Sequence, residues 1–243
     1  MRAPGRLAAG LAVGALAAGA AGCQSTQDKS KEIGAKGSNA FKQKGLTITK
    51  SSTDVTIASR TLLTDENGSA VVLELRNRTP TPLASVPVSI NLENARGRSV
   101  FKNDAPGLEP SLVAAPLVAG GTTTLWVNDQ VQADEPPRRV VAKVGAAKPV
   151  TGDVPKLSIE RLKLEQDPVD GTLASGKIKN DSGVLQRKLV IYAVARKGGR
   201  IVAAGRAGVD RLKPGKKAGF AIFFIGNPKG AKLEVFAPPT VLA

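Results

Sequence analysis

Acidic side chains fall in three tight groups, Asp65-Glu66, Asp134-Glu135 and Glu165, Asp167, Asp170. They are the first places to look for acid–base or metal chemistry. A glycosidase needs two carboxylates facing across a cleft, and a calcium site needs several oxygens converging from one loop. EQDPVDG comes nearest to the latter but lacks the alternate-residue ligand spacing of such loops. Each group adjoins Asn-Gly, Pro-Pro or Asp-Gly, so turn chemistry is the expected role of these acids. Nucleophiles fare no better: no serine sits in a G-x-S-x-G elbow, and the chain has no histidine to act as base or metal ligand. A Ser–Lys pair is the one arrangement that composition leaves open. GRAGVDRLKPGKK places glycines beside lysine without phosphate-loop spacing. The chain is therefore expected to be no enzyme, with no catalytic residue, metal or cofactor.

The single cysteine, Cys23, carries a different chemistry. Arg2 and Arg6 precede an uncharged apolar run from Leu7 to Leu16, and small residues then lead to Cys23. The run is too short for a permanent membrane helix, which takes about 20 residues, so residues 1–22 read as an export signal. Oxidising compartments pair cysteines, so a lone exported thiol needs a purpose. Ala20-Ala21-Gly22-Cys23 resembles the lipobox of bacterial lipoproteins, with Ala20 where leucine is usual. That resemblance implies a diacylglycerol on Cys23, cleavage before it, and anchoring at the outer face of a bacterial membrane; the competing reading is ordinary cleavage at an Ala-x-Ala-like site, which leaves Cys23 an unmodified thiol on the tail. Acyl chains contribute about 0.8 kcal/mol per buried methylene.

Charge divides by segment. Residues 46–145 carry 10 basic and 10 acidic residues, whereas residues 146–243 carry 18 and 8, most of the formal +15. Arg187, Lys188, Arg196, Lys197, Arg200, Arg206, Arg211, Lys213, Lys216 and Lys217 are expected mostly in turns, several gathered at one end. Of these, Arg187, Lys188, Arg196, Lys197, Arg200, Lys213, Lys216 and Lys217 are the candidates for holding an anionic envelope polymer or lipid headgroups. The competing reading is a soluble surface whose charges discourage edge pairing. Nucleic acid is not an expected partner, given an exported address and few aromatics.

The elements that position these groups follow from pattern. Residues 23–45 are polar and lysine-rich, a flexible tether. From residue 46, short runs rich in Val, Ile and Thr alternate with turn clusters. In SVPVSINLEN, Val86, Val88, Ile90 and Leu92 point one way; in AVVLELRN, Val71, Leu73 and Leu75 do. Pro87 lacks an N–H and points to an edge or bulge. Internal repetition organises the whole. An offset of 103 brings Asn67-Gly68 onto Asp170-Gly171, Leu75 onto Ile178, Asn77 onto Asn180 and Val86 onto Leu189. An offset of 95 brings Leu117, Gly120 and Leu125 onto Leu212, Gly215 and Phe220, the difference being a loop insertion near KNDAPGLEPS. Two tandem immunoglobulin-like antiparallel β-sandwiches are expected, over residues 46–147 and 156–243.

KIKNDSG, KLVIYAVARKGGRIVAAG and LKPGKKAGFAIFF resemble the FxLYD-type domains of bacterial lipoproteins, and are similar to adhesion-related Ig-like surface modules. Val190-Ile191-Tyr192-Ala193 stands in place of the aromatic-x-Leu-Tyr-Asp signature. The resemblance implies a fold and no catalytic residues. In the second unit, Val190, Tyr192, Val194, Phe223 and Ile225 fall on outward positions and are expected to form one apolar interface, for the first unit or for another envelope protein. The expected work is binding or scaffolding; the alternative is a spacer or adhesion module.

Overall fold

Among the described residues, four antiparallel sheets follow from these patterns, with almost no helix. The computed structural model describes residues 45–167 and 171–242. β1 (Val55–Asp65), β2 (Gly68–Asn77) and β6 (Thr123–Val131) form a three-stranded sheet, here sheet II. Sheet I is built around β3 (Leu83–Glu93), which pairs β4 (Ser99–Lys102), β5 (Ala114–Val118), β7 (Arg139–Val144) and β8 (Lys148–Pro149). Sheet III runs β14 (Ile225–Gly226), β12 (Arg200–Leu212), β11 (Gln186–Lys197), β15 (Lys232–Phe236). In sheet IV, β10 (Gly171–Asn180) lies between β9 (Leu157–Asp167) and β13 (Lys217–Phe223).

The sheets stack face to face in the order I, II, III, IV, and the described residues form one compact unit. The two inner sheets are thus covered on both sides, and their sequences show why. Ala70, Val71, Val72 and Leu73 are buried in succession, as is every residue from Leu189 to Ala195. A continuous apolar run marks a strand buried on both faces, where alternation marks one buried on a single face. One core cluster joins Val72, Leu73, Trp126 and Val127 to Val190, Tyr192 and Val194; the other joins Leu189, Ile191 and Ala193 to Ile178, Phe220 and Ile222.

Residues 45–150 and 156–242 share local detail. Asn77 Nδ2 donates to the carbonyls of Thr81 and Val118, and its Oδ1 accepts from the Thr79 N–H and hydroxyl. Asn180 repeats this with Val184, Leu212 and Ser182. Both asparagines are fully buried, where unmade hydrogen bonds are costly. β1 bulges at Ala58 and β9 at Arg161, and left-handed backbone recurs at Ser85 and Lys188, both at φ 49°. Each of these pairs is 103 residues apart. After the insertion the offset is 94, one less than the sequence alone indicates: Leu73 pairs Trp126 as Gly176 pairs Phe220. Trp126, not Leu125, therefore matches Phe220. A slip of one residue exchanges the faces of a strand.

The insertion cuts in two what is one continuous strand in the other half: β12 corresponds to β4 and β5 with a break between them. A short helix, α1 (Pro110–Val113), fills the break. The buried side chain of Asn103 bridges it, donating to the carbonyls of Val88 (2.8 Å) and Leu112 (2.7 Å) and accepting from the Ile90 N–H (2.7 Å). Pro87 is not on an edge strand. β3 is central, and Pro87 sits where its partner changes from β7 to β8; its carbonyl accepts from the Gly145 N–H at 2.9 Å. The pairing of the first half continues past residue 147 through β8 to Val150, whose N–H donates to Pro82.

Candidate functional site

The most elaborate polar chemistry of the described residues lies where sheets II and III meet. Arg206 occupies the middle of β12, between Gly205 and Ala207, and only 6% of its side chain is exposed. Its backbone N–H and its Nε both donate to Asp129, each at 2.9 Å; Nη1 donates to Ser111 Oγ at 2.7 Å and Nη2 to Glu109 Oε2 at 3.1 Å. A bulge in β6, between the pairs Ser69–Val131 and Val71–Asn128, re-aims Asp129 toward β12. Burial pushes the Asp129 carboxyl above its ordinary range, against the pull of the Arg206 charge. α1 is held in turn by Trp126, whose Nε1 donates to the Ser111 carbonyl at 2.8 Å. Gly205 lets β12 approach β13, since a Cβ there would lie 2.1 Å from the Phe223 carbonyl oxygen.

A second polar clamp sits farther along the junction. Arg196 donates through Nη2 to Glu74 at 2.6 Å and through Nε to Glu234 at 3.2 Å. Burial alone would raise the Glu74 carboxyl, but hydrogen bonds from Arg196 and the Ser59 hydroxyl hold it below its usual range. The Gly226 N–H donates to Asp65 Oδ2 at 2.6 Å. Tyr192 packs against Phe236 with ring centroids 5.3 Å apart, and burial drives its hydroxyl well above the ordinary tyrosine range.

Beside Arg206 a cleft of about 330 Å³ is lined by Glu109, Ser111, Asp129, Lys188, Asp210 and the apolar backs of β11 and β12. It brings together a serine, a lysine and three carboxylates, the types an active site would need. Their bonding assigns them other work. Ser111 Oγ accepts from a guanidinium, which cannot take a proton from it. Lys188 donates to Asp210 at 2.6 Å, and this hydrogen bond holds the ammonium above its ordinary range, away from a general base. Of the three acidic groups singled out in the sequence, Asp65 binds the Gly226 N–H and the Asn67 N–H, while Glu135 accepts from Asn94 and Arg98. Glu165 accepts from Ser175 Oγ, and the side chains of Asp167 and Asp170 lie outside the described residues. Among the described residues no group of three or more His, Cys, Asp or Glu side chains could hold a metal ion.

The eight basic candidates do not form one patch. Arg187 lies opposite Arg211 at one end of the β11–β12 pair, near Lys213, Lys216 and Lys217; Arg196, Lys197 and Arg200 lie at the other. The nine steps along β11 from Arg187 to Arg196 span roughly 30 Å at about 3.4 Å each. Several thus gather at one end, as expected, but Arg196, Lys197 and Arg200 do not join them, because β11 is a single long strand and its basic residues mark both of its ends. Lys188, Arg196 and Lys217 are spent in ion pairs, with Asp210, with Glu74 and Glu234, and with Glu160. Arg206 is buried inside a strand, not in a turn. A cation flanked by small apolar residues in IVAAGRAGV was its available signal, and Asp129 in LWVNDQV was its match.

Four of the five apolar candidates pack toward the first half, and Phe223 does not. Val190, Tyr192 and Val194 are buried in the core shared with sheet II, and Ile225 is buried near Gly68. Phe223 is 46% exposed on β13. The chain leaves sheet IV for sheet III at Phe224, so Phe223 and Ile225 belong to different sheets. Cys23 and the tether lie outside the described residues, among which no helix is long and apolar enough to cross a membrane. No protein-family model matches the chain, and no curated protein matches it.

Proposed function

We propose that this chain is an exported, non-enzymatic envelope lipoprotein, anchored through a diacylglycerol on Cys23, that presents two tandem Ig-like sandwiches of FxLYD type as a binding or scaffolding module. Its partner in this reading is anionic: a wall or envelope polymer, lipid headgroups or an acidic protein surface. The observation that carries it is the lone cysteine directly after Ala20-Ala21-Gly22, behind a charged start and a short apolar run. The recurring asparagine networks support the tandem sandwiches, and the uncommitted cations of the second half support an anionic partner.

A spacer reading is favoured by one observation: face-to-face stacking of sheets II and III makes the two halves one body, suited to holding something at a fixed distance. Mass spectrometry of the mature N-terminus after metabolic acyl labelling tests the anchor. Acylated Cys23 at the N-terminus is expected, with Cys23→Ala releasing the protein to the aqueous phase. An unmodified cysteine in soluble protein would overturn it.

A further inference from the structure

We propose that the groove between β1 and the β11–β12 hairpin is a binding site for the phosphate groups of a polyanion, whether linked as esters or as anhydrides. The proposal rests on the anionic-partner reading above and gives it a place. The groove has a volume of about 480 Å³ and is lined by Ser59, Arg60, Thr61, Glu74, Arg196 and Arg200, with Leu62, Ile201 and Gly199 at its sides. Sheet II supplies Arg60 and sheet III supplies Arg196 and Arg200, so the site exists only when the halves are stacked.

The three arginines differ in what they have left to give. Arg196, 24% exposed, is fixed by Glu74 and Glu234 and forms the floor. Glu74, the one acid in the groove, is committed to Arg196 at 2.6 Å and to the Ser59 hydroxyl at 2.8 Å. Arg60 and Arg200 are exposed and make no ion pair or side-chain hydrogen bond among the described residues. Arg196 is matched by two carboxylates, Glu74 and Glu234, so the three guanidinium groups leave a surplus of one positive charge, and the forks of Arg60 and Arg200 are the ones left to give. A guanidinium presents a planar fork of N–H donors that matches two phosphate oxygens at once, and two such forks match a group bearing one to two negative charges. The Thr61 hydroxyl offers a further donor. By contrast, Lys213 and Lys216 stand on an exposed turn around Gly215.

The test uses the full chain with two probes, soluble inorganic polyphosphate and phosphatidylglycerol vesicles, with polyglutamate and phosphatidylcholine vesicles as controls. Arg60→Gln with Arg200→Gln is expected to weaken polyphosphate binding about a hundredfold, roughly tenfold for each charged hydrogen-bonding group lost. Lys213→Gln with Lys216→Gln, which removes the same charge elsewhere, is expected to weaken it less than about twofold. Arginine-dependent binding of both probes identifies lipid headgroups as an accessible source, and of polyphosphate alone a soluble or wall polymer. Equal losses in the two double variants overturn the site and leave the anionic-partner reading standing. Polyglutamate binding as tight as polyphosphate binding overturns the choice of phosphate. Failure of the unaltered chain to bind any anionic probe overturns both. Circular dichroism checks folding, and if the arginine pair fails it, the exposed Arg200→Gln variant is read alone, with about tenfold expected.

Discussion

Sheets II and IV occupy corresponding places in the two halves, yet one is sealed and the other is open. On sheet II the positions turned toward sheet III are Ala70, Val72 and Glu74 of β2 with Val127 and Asp129 of β6. The positions that match them on sheet IV are Leu173, Ser175, Lys177, Ala221 and Phe223, and all five are half-buried or exposed. The inward faces of the two sheets are alike; the outward faces decide how many layers each belongs to. Burial of an apolar face and the charge on its counterpart are therefore separable properties of one strand pattern. Phe223, which matches the clamped Asp129, is exposed because no further sheet lies over it among the described residues.

The sharpest way to break this comparison is to place one charge at both positions. Val72→Lys is expected to cost about 4 kcal/mol, since it buries an unpaired ammonium, whereas Ser175→Lys is expected to stay within about 0.5 kcal/mol. Urea unfolding measures both, and equal costs would mean that sheet III does not cover sheet II in solution. Next in size is Arg206→Met, expected to cost about 3 kcal/mol at neutral pH by leaving Asp129 buried without its counter-charge. The Asp129 carboxyl already lies above its ordinary range through burial, and losing the arginine raises it further. A carboxyl whose native pKa exceeds its unfolded one loses stability as pH rises through that interval. The deficit should therefore shrink as pH falls toward the ordinary aspartate range, and a pH series of unfolding curves reads it. A deficit independent of pH would assign the cost to lost packing alone. The smallest effect sharpens the likeness of the halves: Asn77→Ala and Asn180→Ala should each cost about 2 kcal/mol, by stranding the same buried carbonyls and N–H groups. Unequal costs would show that the matching bonds bear unequal loads.

Much of this was legible in the residues. The inward positions of β3, Val86, Val88, Ile90 and Leu92, alternate cleanly and are all buried. Asn77 and Asn180 stand out as polar residues closing apolar strands. The apolar outward positions of β11 were visible in LVIYAVA, but what lies over them was not, because a strand's own pattern records burial and not the covering partner. Pro87 misled for a related reason: it marks a change of partner within a central strand, which local sequence cannot distinguish from an edge. Which basic residues gather at one end was not legible, because turns at opposite ends of a strand look alike along the chain. Arg60, from the neutral half, entered the phosphate groove only through stacking that no single-half reading contains.

The order of layers has a consequence for chain architecture. Sheet III packs on sheet II as the second half meets the first, and these are unlike surfaces, so the contact runs head to tail and has no two-fold symmetry that would close it. Nothing in such a contact limits its repetition; a third module laid on sheet IV would meet the same geometry as the second does on sheet II. At the positions of Val72 and Glu74 on sheet II, sheet IV carries Ser175 and Lys177, so a few outward side chains distinguish the covered face from the uncovered one in an otherwise extensible stack.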